Sequence, residues 1–138
     1  MSSMSYKKQR NATSTVLPVL ALAAISMLVV GVAQSVSAEV RLFANLNPPN
    51  GGIADGKAEF RSDGTFRKLK VQIEDVRPNT KYTVIIAGKW IGTITTNSLG
   101  RGELERNTQD GQSVQVVRVG DAVKVLRGTT LVLSGQFR

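Results

Sequence analysis

Residues 68–74 read Lys-Leu-Lys-Val-Gln-Ile-Glu, the most regular strand pattern in the chain. Leu69, Val71 and Ile73 alternate with lysine, glutamine and glutamate. Successive side chains of a β-strand point to opposite faces of the sheet, so strict alternation predicts a strand with one buried and one solvated face. The stretch is too regular in its period of two to form an amphipathic helix, which would repeat its apolar residues every three or four positions.

Similar segments continue on both sides of this strand, separated by turn residues about every 8 to 12 positions, a spacing typical of β-sandwiches and barrels. Asp63-Gly64 is a hairpin signal, because this pair tolerates the backbone angles of tight turns. We predict an all-β domain: a single antiparallel two-layer sandwich of about seven or eight strands, without a long helix. The other predicted strands are 40–46, 57–61, 82–87, 90–96, 103–106, 122–127 and 131–137.

Several segments carry more detailed predictions. The apolar segment 82–87 predicts a central strand buried on both faces, and the charged segment 103–106 predicts a strand near an edge. Phe66 is out of phase with the apolar residues that follow it, which indicates a bulge or an edge position before Leu69. Segment 114–119 is compatible with a short strand or with an irregular segment packed beneath the sheets.

The N-terminal region has the order of a secretory signal peptide. Lys7, Lys8 and Arg10 precede the largely apolar run 16–33, and Ser35-Val36-Ser37-Ala38 supplies small residues before a cut at Glu39. We therefore predict a helical signal peptide over 1–38 and a β-sandwich domain over 39–138, secreted or retained in the periplasm or cell envelope. The alternative is an uncleaved signal anchor, since 18 apolar-rich residues approach the length of a membrane-spanning helix.

The amino-acid composition limits the classes of function that this chain can have. The formal net charge is +8, and removal of Lys7, Lys8 and Arg10 leaves 15 basic and 10 acidic residues, a net of +5. This excess suits attraction to anionic polymers or membrane surfaces, and it is also ordinary for a solvated small domain. The chain contains neither Cys nor His. It therefore has no disulfides, and it lacks the nucleophile systems and zinc sites that require these residues.

Carboxylates are the remaining candidates for catalysis or metal binding. Glu103 and Glu105 share a strand face at roughly 6 to 7 Å, which is compatible with a glycosidase pair and also with a solvated face that Arg101 and Arg106 neutralise. The aspartates at turns lack the spacing of an EF-hand and are explained by Asx turns. We expect no enzyme activity, no metal and no cofactor.

A binding surface is the other candidate. Lys68 and Lys70 share a face, and with an exposed Trp90 they would form a basic patch with an aromatic platform for sugars or anionic polymers. The competing interpretation places Trp90 half-buried in the core. Nucleic acid is not an expected partner, because sheet-based readers need several stacking aromatic residues.

Several motifs also occur together in a familiar order. They are Gly56–Arg61, Val71–Val76, Gly92–Thr95, Gly100–Leu104, Asn107–Gln112 and Leu133–Phe137. In this order the chain resembles a group of uncharacterised bacterial exported proteins, small β-sandwiches behind a signal peptide. More distantly it resembles the chordin-type (CHRD) extracellular domain, without the His-containing motif of that domain. The resemblance implies an exported sandwich and supplies no catalytic residues.

Two functions follow as expectations. The first is a non-enzymatic exported module that acts by surface recognition or as a structural component of the envelope. The alternative is a carbohydrate- or anionic-polymer-binding domain that uses Trp90, Lys68 and Lys70. The partner class of this alternative is envelope polysaccharide or another anionic polymer, and a membrane is expected as partner only if the signal segment stays uncleaved.

Overall fold

Eight β-strands form the computed structural model, which describes residues 38–138. The predicted signal peptide lies outside these residues, apart from Ala38. Strands β1 and β7 have the predicted bounds, and the other strands differ from prediction by a few residues at their ends. The strands are β1 (Val40–Leu46), β2 (Asp55–Asp63), β3 (Phe66–Glu74), β4 (Lys81–Ile86), β5 (Lys89–Thr95), β6 (Gly102–Asn107), β7 (Ala122–Arg127) and β8 (Thr130–Gln136).

The strands form two four-stranded antiparallel sheets. The first sheet has the order β1-β2-β3-β6, and the second has the order β5-β4-β7-β8. This arrangement confirms the predicted two-layer sandwich, the central place of β4 and the edge position of β6. Within residues 38–138 the helical structure is a 3₁₀ turn at Thr108–Asp110, and no helix has the length and hydropathy to cross a bilayer.

The core lies between the inner faces of the two sheets. Leu69, Val71 and Ile73 of β3 are at most 1% exposed, as the alternation in 68–74 predicts. Tyr82, Val84 and Ile86 contribute the matching inner face of β4. Burial of these apolar side chains supplies most of the stabilisation of a domain that has no disulfides.

One side of the sandwich is joined by backbone hydrogen bonds between the edge strands β1 and β8. Phe43 exchanges N–H···O bonds of 3.0 and 2.9 Å with Arg138, and Asn47 exchanges two bonds of 2.9 Å with Ser134. We call this contact the β1/β8 seam. The seam needs Gly135, because a β-carbon there would lie far inside van der Waals contact with the Asn45 carbonyl oxygen.

The opposite side, between β5 and β6, is joined by the turn 96–101 and covered in part by segment 111–121. The carbonyl of Arg101 accepts from Asn97 N–H at 2.8 Å, which closes the turn. Val114 and Val117 are buried although segment 113–119 is irregular, so the second of the two predictions for this segment is confirmed. The side chain of Arg67 donates to the Val114 carbonyl at 2.6 Å and holds the segment against β3.

One detailed prediction is wrong. The strand at 82–87 is not buried on both faces: Thr83 and Ile85 are half-buried, because a two-layer sandwich leaves the outer face of each sheet to solvent. Of the two alternatives for Phe66, the edge position holds and the bulge does not: the β2–β3 pairing runs unbroken to Phe66, and pairing with β6 begins only at Lys68. Phe66 lies at the hairpin end, where the Arg61 guanidinium carbon is 5.5 Å from its ring centre.

Candidate functional site

The predicted site residues Lys68 and Lys70 lie on the outer face of the first sheet and are paired with carboxylates. Lys68 Nζ is 3.2 Å from Glu105 Oε2, and Lys70 Nζ is 3.1 Å from Glu103 Oε2. The hydrogen bond and charge of Glu103 raise the pKa of Lys70. These lysines therefore offer little free positive charge to a ligand.

The rest of this outer face is balanced in the same way. Glu39 pairs with Arg41 at 3.1 Å and also with Arg61, and the hydrogen bond from Arg61 is the main reason that the pKa of Glu39 is lowered. Glu59 lies 3.9 Å from Arg41. The strands of the first sheet carry seven basic and six acidic residues, so the two signs of charge are nearly equal in number.

The carboxylates Glu103 and Glu105 do share the outer face of β6, but their neighbours differ from the prediction. Arg101 lies 3.9 Å from Glu74, and Arg106 is on the inner face of β6, opposite Leu69. The lysines of β3, and not these arginines, neutralise the pair. A shallow cleft of about 370 Å³ is lined by Glu103 without Glu105. Each carboxylate thus holds a lysine across the strands.

Trp90 lies on the second sheet and is 63% exposed, so the interpretation that it is half-buried is wrong. The reason is a β-bulge in the β4–β5 pairing, where Gly92 is opposite Val84 but Trp90 is opposite Ile85. An extra residue in one strand reverses the face of every side chain beyond it. Without the bulge, Trp90 would share the inner face with Ile94.

The outer face of the second sheet has one sign of charge. Its four strands carry four basic residues and no acidic residue, and two of the basic residues, Lys81 and Lys124, lie on this outer face. Lys81 and Lys124 are exposed, and among residues 38–138 neither forms a salt bridge. We define the basic face by the outward residues of this sheet: Lys81, Thr83, Ile85, Trp90, Thr93, Thr95, Lys124, Leu126 and Ser134.

Strand register places the principal groups of the basic face in rows. Trp90 is opposite Ile85, Ile85 is opposite Lys124, and Lys124 is opposite Ser134. Neighbouring strands are about 4.8 Å apart, so the backbones of Trp90 and Lys124 are separated by roughly 10 Å. A flat surface results in which an aromatic ring, hydroxyl groups and free ammonium groups lie side by side.

The structure thus separates the three residues predicted to form one site. Trp90 is on the second sheet, and Lys68 and Lys70 are on the outer face of the first. On the outer face of the second sheet Trp90 shares a row with Lys124, and Lys81 lies on the same face at the far end of β4, opposite Thr95. Sequence reasoning missed both lysines. A signal for them exists in the sequence, because segments 81–96 and 122–137 contain no Asp or Glu.

The largest cavity lies at one end of the sandwich and has a volume of about 470 Å³. Arg77 and Arg127 line it together with the Asp75 carboxylate, and the hydroxyl of buried Tyr82 accepts from Arg77 N–H at 3.0 Å. The Tyr82 hydroxyl is therefore already engaged in holding the loop. This cavity combines both signs of charge, unlike the basic face.

Aspartate and asparagine side chains at two turns act as local acceptors. Asp121 Oδ2 accepts from Arg118 N–H at 2.8 Å, and Asn107 Oδ1 accepts from Gln109 N–H at 2.8 Å. Within the described part of the chain, no group of three or more acidic, Cys or His side chains comes together in a way that could hold a metal ion. These turn residues stabilise loops, as Asx turns do.

Comparison with known proteins adds no relative: no protein-family model matches the chain, and no curated protein matches it significantly. The resemblance to small exported bacterial sandwiches and to the chordin-type domain therefore stays a prediction from sequence motifs.

Proposed function

We propose that the protein is an exported, non-enzymatic binding module that recognises an anionic polysaccharide through the basic face. The observation that carries the proposal is the exposed Trp90 on a sheet whose strands contain four basic residues and no acidic residue. Uncompensated charge of one sign attracts a polymer of the opposite sign. The ligand-binding lysines of this proposal are Lys81 and Lys124, in place of Lys68 and Lys70.

The mixture of groups on the basic face favours a sugar polymer over other polyanions. The indole of Trp90 offers an apolar platform with a polar edge, and the hydroxyls of Thr83, Thr93 and Ser134 can donate to and accept from sugar hydroxyls. A reader of single-stranded nucleic acid would need further aromatic rings for stacking. Trp90 is the one aromatic residue on the outer face of this sheet.

A binding role without catalysis is supported by the state of the candidate catalytic groups. The two carboxylates that share a face, Glu103 and Glu105, each hold a lysine ammonium group at close to 3 Å. A glycosidase pair needs one protonated acid and one free carboxylate flanking the scissile bond. Both carboxylates of the candidate pair are therefore already engaged in ion pairs across the strands.

Lys124→Glu is expected to weaken binding of the exported domain to polygalacturonate about tenfold, roughly 1.4 kcal/mol. The matched control is Lys57→Glu, which makes the same charge change at an exposed mid-strand position of the first sheet, opposite Asn45 and Gln72. The control should lose less than about twofold. Titration calorimetry at two salt concentrations measures the affinity of both variants for polygalacturonate, and binding should weaken as the salt concentration rises.

Equal losses in Lys124→Glu and Lys57→Glu would show a non-specific effect of net charge and would contradict the proposed face. Tighter binding to a single-stranded oligonucleotide than to polygalacturonate would contradict the polysaccharide assignment. Neutral dextran serves as the ligand control, and it should bind weakly to all three proteins.

Export is tested separately. When the full chain is expressed in a bacterial host, we expect a soluble extracytoplasmic product that begins at Glu39, because Ser35-Val36-Ser37-Ala38 has the pattern of a signal-peptidase site. Intact mass and cell fractionation measure this. A full-length, membrane-bound product would instead establish a signal anchor and would place the basic face at a membrane surface.

A further inference from the structure

A second, smaller site adjoins the basic face on the open side of the sandwich. A cleft of about 230 Å³ lies between the edges of β5 and β6. Trp90 forms part of its wall, so the aromatic residue of the basic face borders both surfaces. The cleft is lined by Leu69, Trp90, Ile91, Arg106, Ser113, Val114 and Gln115.

Arg106 is the unusual member of this cleft. It points to the inner face of β6, opposite the fully buried Leu69, where a sandwich normally has an apolar side chain. Its Nε is buried and has no hydrogen-bond partner. Among residues 38–138 the guanidinium also takes part in no salt bridge.

A buried hydrogen-bond donor without a partner, such as the Arg106 Nε–H, is energetically costly, and a native structure needs a reason to retain it. Packing alone does not provide one. A β-carbon at Gly92 would lie 3.4 Å from Arg106 Nη2 and 3.1 Å from Leu104 Cδ2, so Gly92 makes the room in which the guanidinium lies.

We infer that this cleft, which we call the Arg106 cleft, binds a single anionic substituent of the polysaccharide, a sugar carboxylate or a sulfate ester. This inference rests on the proposed function and names the group that is read there. A guanidinium presents parallel N–H donors that match the two oxygens of a carboxylate or sulfate. The volume accommodates one such group with part of its sugar ring and excludes a longer segment.

The polar neighbours of Arg106 suit this ligand. Ser113 is exposed at the mouth of the cleft and supplies a hydroxyl. The Gln115 amide nitrogen donates to the Ile86 carbonyl at 3.3 Å, which leaves its side-chain oxygen to accept from a sugar hydroxyl. None of the residues that line the cleft is acidic, so an anion entering it meets no carboxylate. Trp90 then covers the ring that carries the charged group.

The test uses three trisaccharides: trigalacturonate, its neutral methyl ester, and a 6-sulfated galactose trisaccharide. For the exported domain we expect Arg106→Gln to lose at least tenfold in affinity for the charged ligand that binds more tightly. Affinity for the methyl ester should stay within twofold. Arg106→Lys keeps the charge but loses the paired donors, so it should retain an intermediate affinity. Arg118→Gln, at an exposed arginine outside the cleft, should bind as the unmodified domain does.

The results separate this inference from the proposed function. If Lys124→Glu weakens polygalacturonate binding but Arg106→Gln binds every trisaccharide normally, the inference is overturned and the basic face stands. If Arg106→Gln loses charged and esterified ligands equally, the cleft does not read charge and the inference is also overturned. Far-ultraviolet circular dichroism and urea midpoints establish that each variant is folded. The tighter of the two charged ligands identifies the substituent as carboxylate or sulfate.

Discussion

Gly135→Ala is expected to lower the free energy of unfolding by about 3 kcal/mol, a large part of the stability of a domain of this size. A β-carbon at position 135 would lie far inside contact with the Asn45 carbonyl oxygen and 3.0 Å from Leu46 Cδ2. Both belong to β1, across the β1/β8 seam. The strands would have to separate there, and the hydrogen bonds between Asn47 and Ser134 would lengthen or break.

Urea denaturation followed by circular dichroism measures the effect, with Gly52→Ala as the control. Gly52 lies in a loop, where a β-carbon would meet only the side chains of Asn50 at 3.3 Å and Pro48 at 4.0 Å. The control should change the unfolding free energy by less than about 1 kcal/mol. A Gly135→Ala domain as stable as the control would show that the seam does not hold the two sheets together.

Gly100→Ala is expected to cost about 3 kcal/mol, for two reasons that act together. The backbone of Gly100 has φ +73, which an L-residue adopts at a cost of about 1 kcal/mol or more. A β-carbon there would also collide with the Val76 carbonyl oxygen. The two residues lie this close because the Gly100 carbonyl accepts a hydrogen bond from Val76 N–H at 3.3 Å. The turn that joins β5 to β6 would have to move.

The variant Gly111→Ala separates the cost of the positive φ from the cost of the collision with Val76. Gly111 has φ +77, but nothing lies within 4 Å of the position of its β-carbon. It should therefore lose only the backbone contribution, about 1 kcal/mol. Urea denaturation of both variants gives the difference, which reports the collision with Val76. If the two variants lose the same free energy, the turn has room that the structure does not indicate.

Gly135 and Gly100 explain why the two sides of the sandwich differ. The β1/β8 seam brings two edge strands into hydrogen-bonding distance at Gly135. On the other side, β5 and β6 meet at the turn near Gly100 and diverge toward Arg106, whose side chain lies between the layers. One side is therefore closed, and the Arg106 cleft forms on the other.

The strand pattern of this fold was accessible from the sequence because it is a local property. Residues 68–74 indicated both the inner and the outer face of β3, and 122–127 gave the bounds of β7. The orientation of Trp90 was not accessible in the same way. It depends on a bulge in the pairing of β5 with β4, which alternation within β5 alone does not specify.

The arrangement of the candidate site was even less accessible from the sequence, because it depends on which strands pair. Lys68 and Lys70 share a face with each other, as predicted, but the glutamates that neutralise them come from β6, more than thirty residues later in the chain. Arg106 is next to Glu105 in sequence, yet lies on the opposite face of the strand. Side-chain partners across a sheet depend on strand order, which alternation within one strand does not specify.

We propose that the outer face of the second sheet recognises an anionic polysaccharide, and this claim can be tested residue by residue. The most direct measurement is a backbone ¹⁵N–¹H NMR titration of the 39–138 domain with trigalacturonate. We expect the largest amide shifts in β4, β5 and β7, concentrated around Ile85, Trp90 and Lys124, and an upfield or downfield shift of the Trp90 indole N–H. Shifts concentrated on β2 and β3, around Lys57 and Lys70, would contradict the claim, and so would an unchanged spectrum.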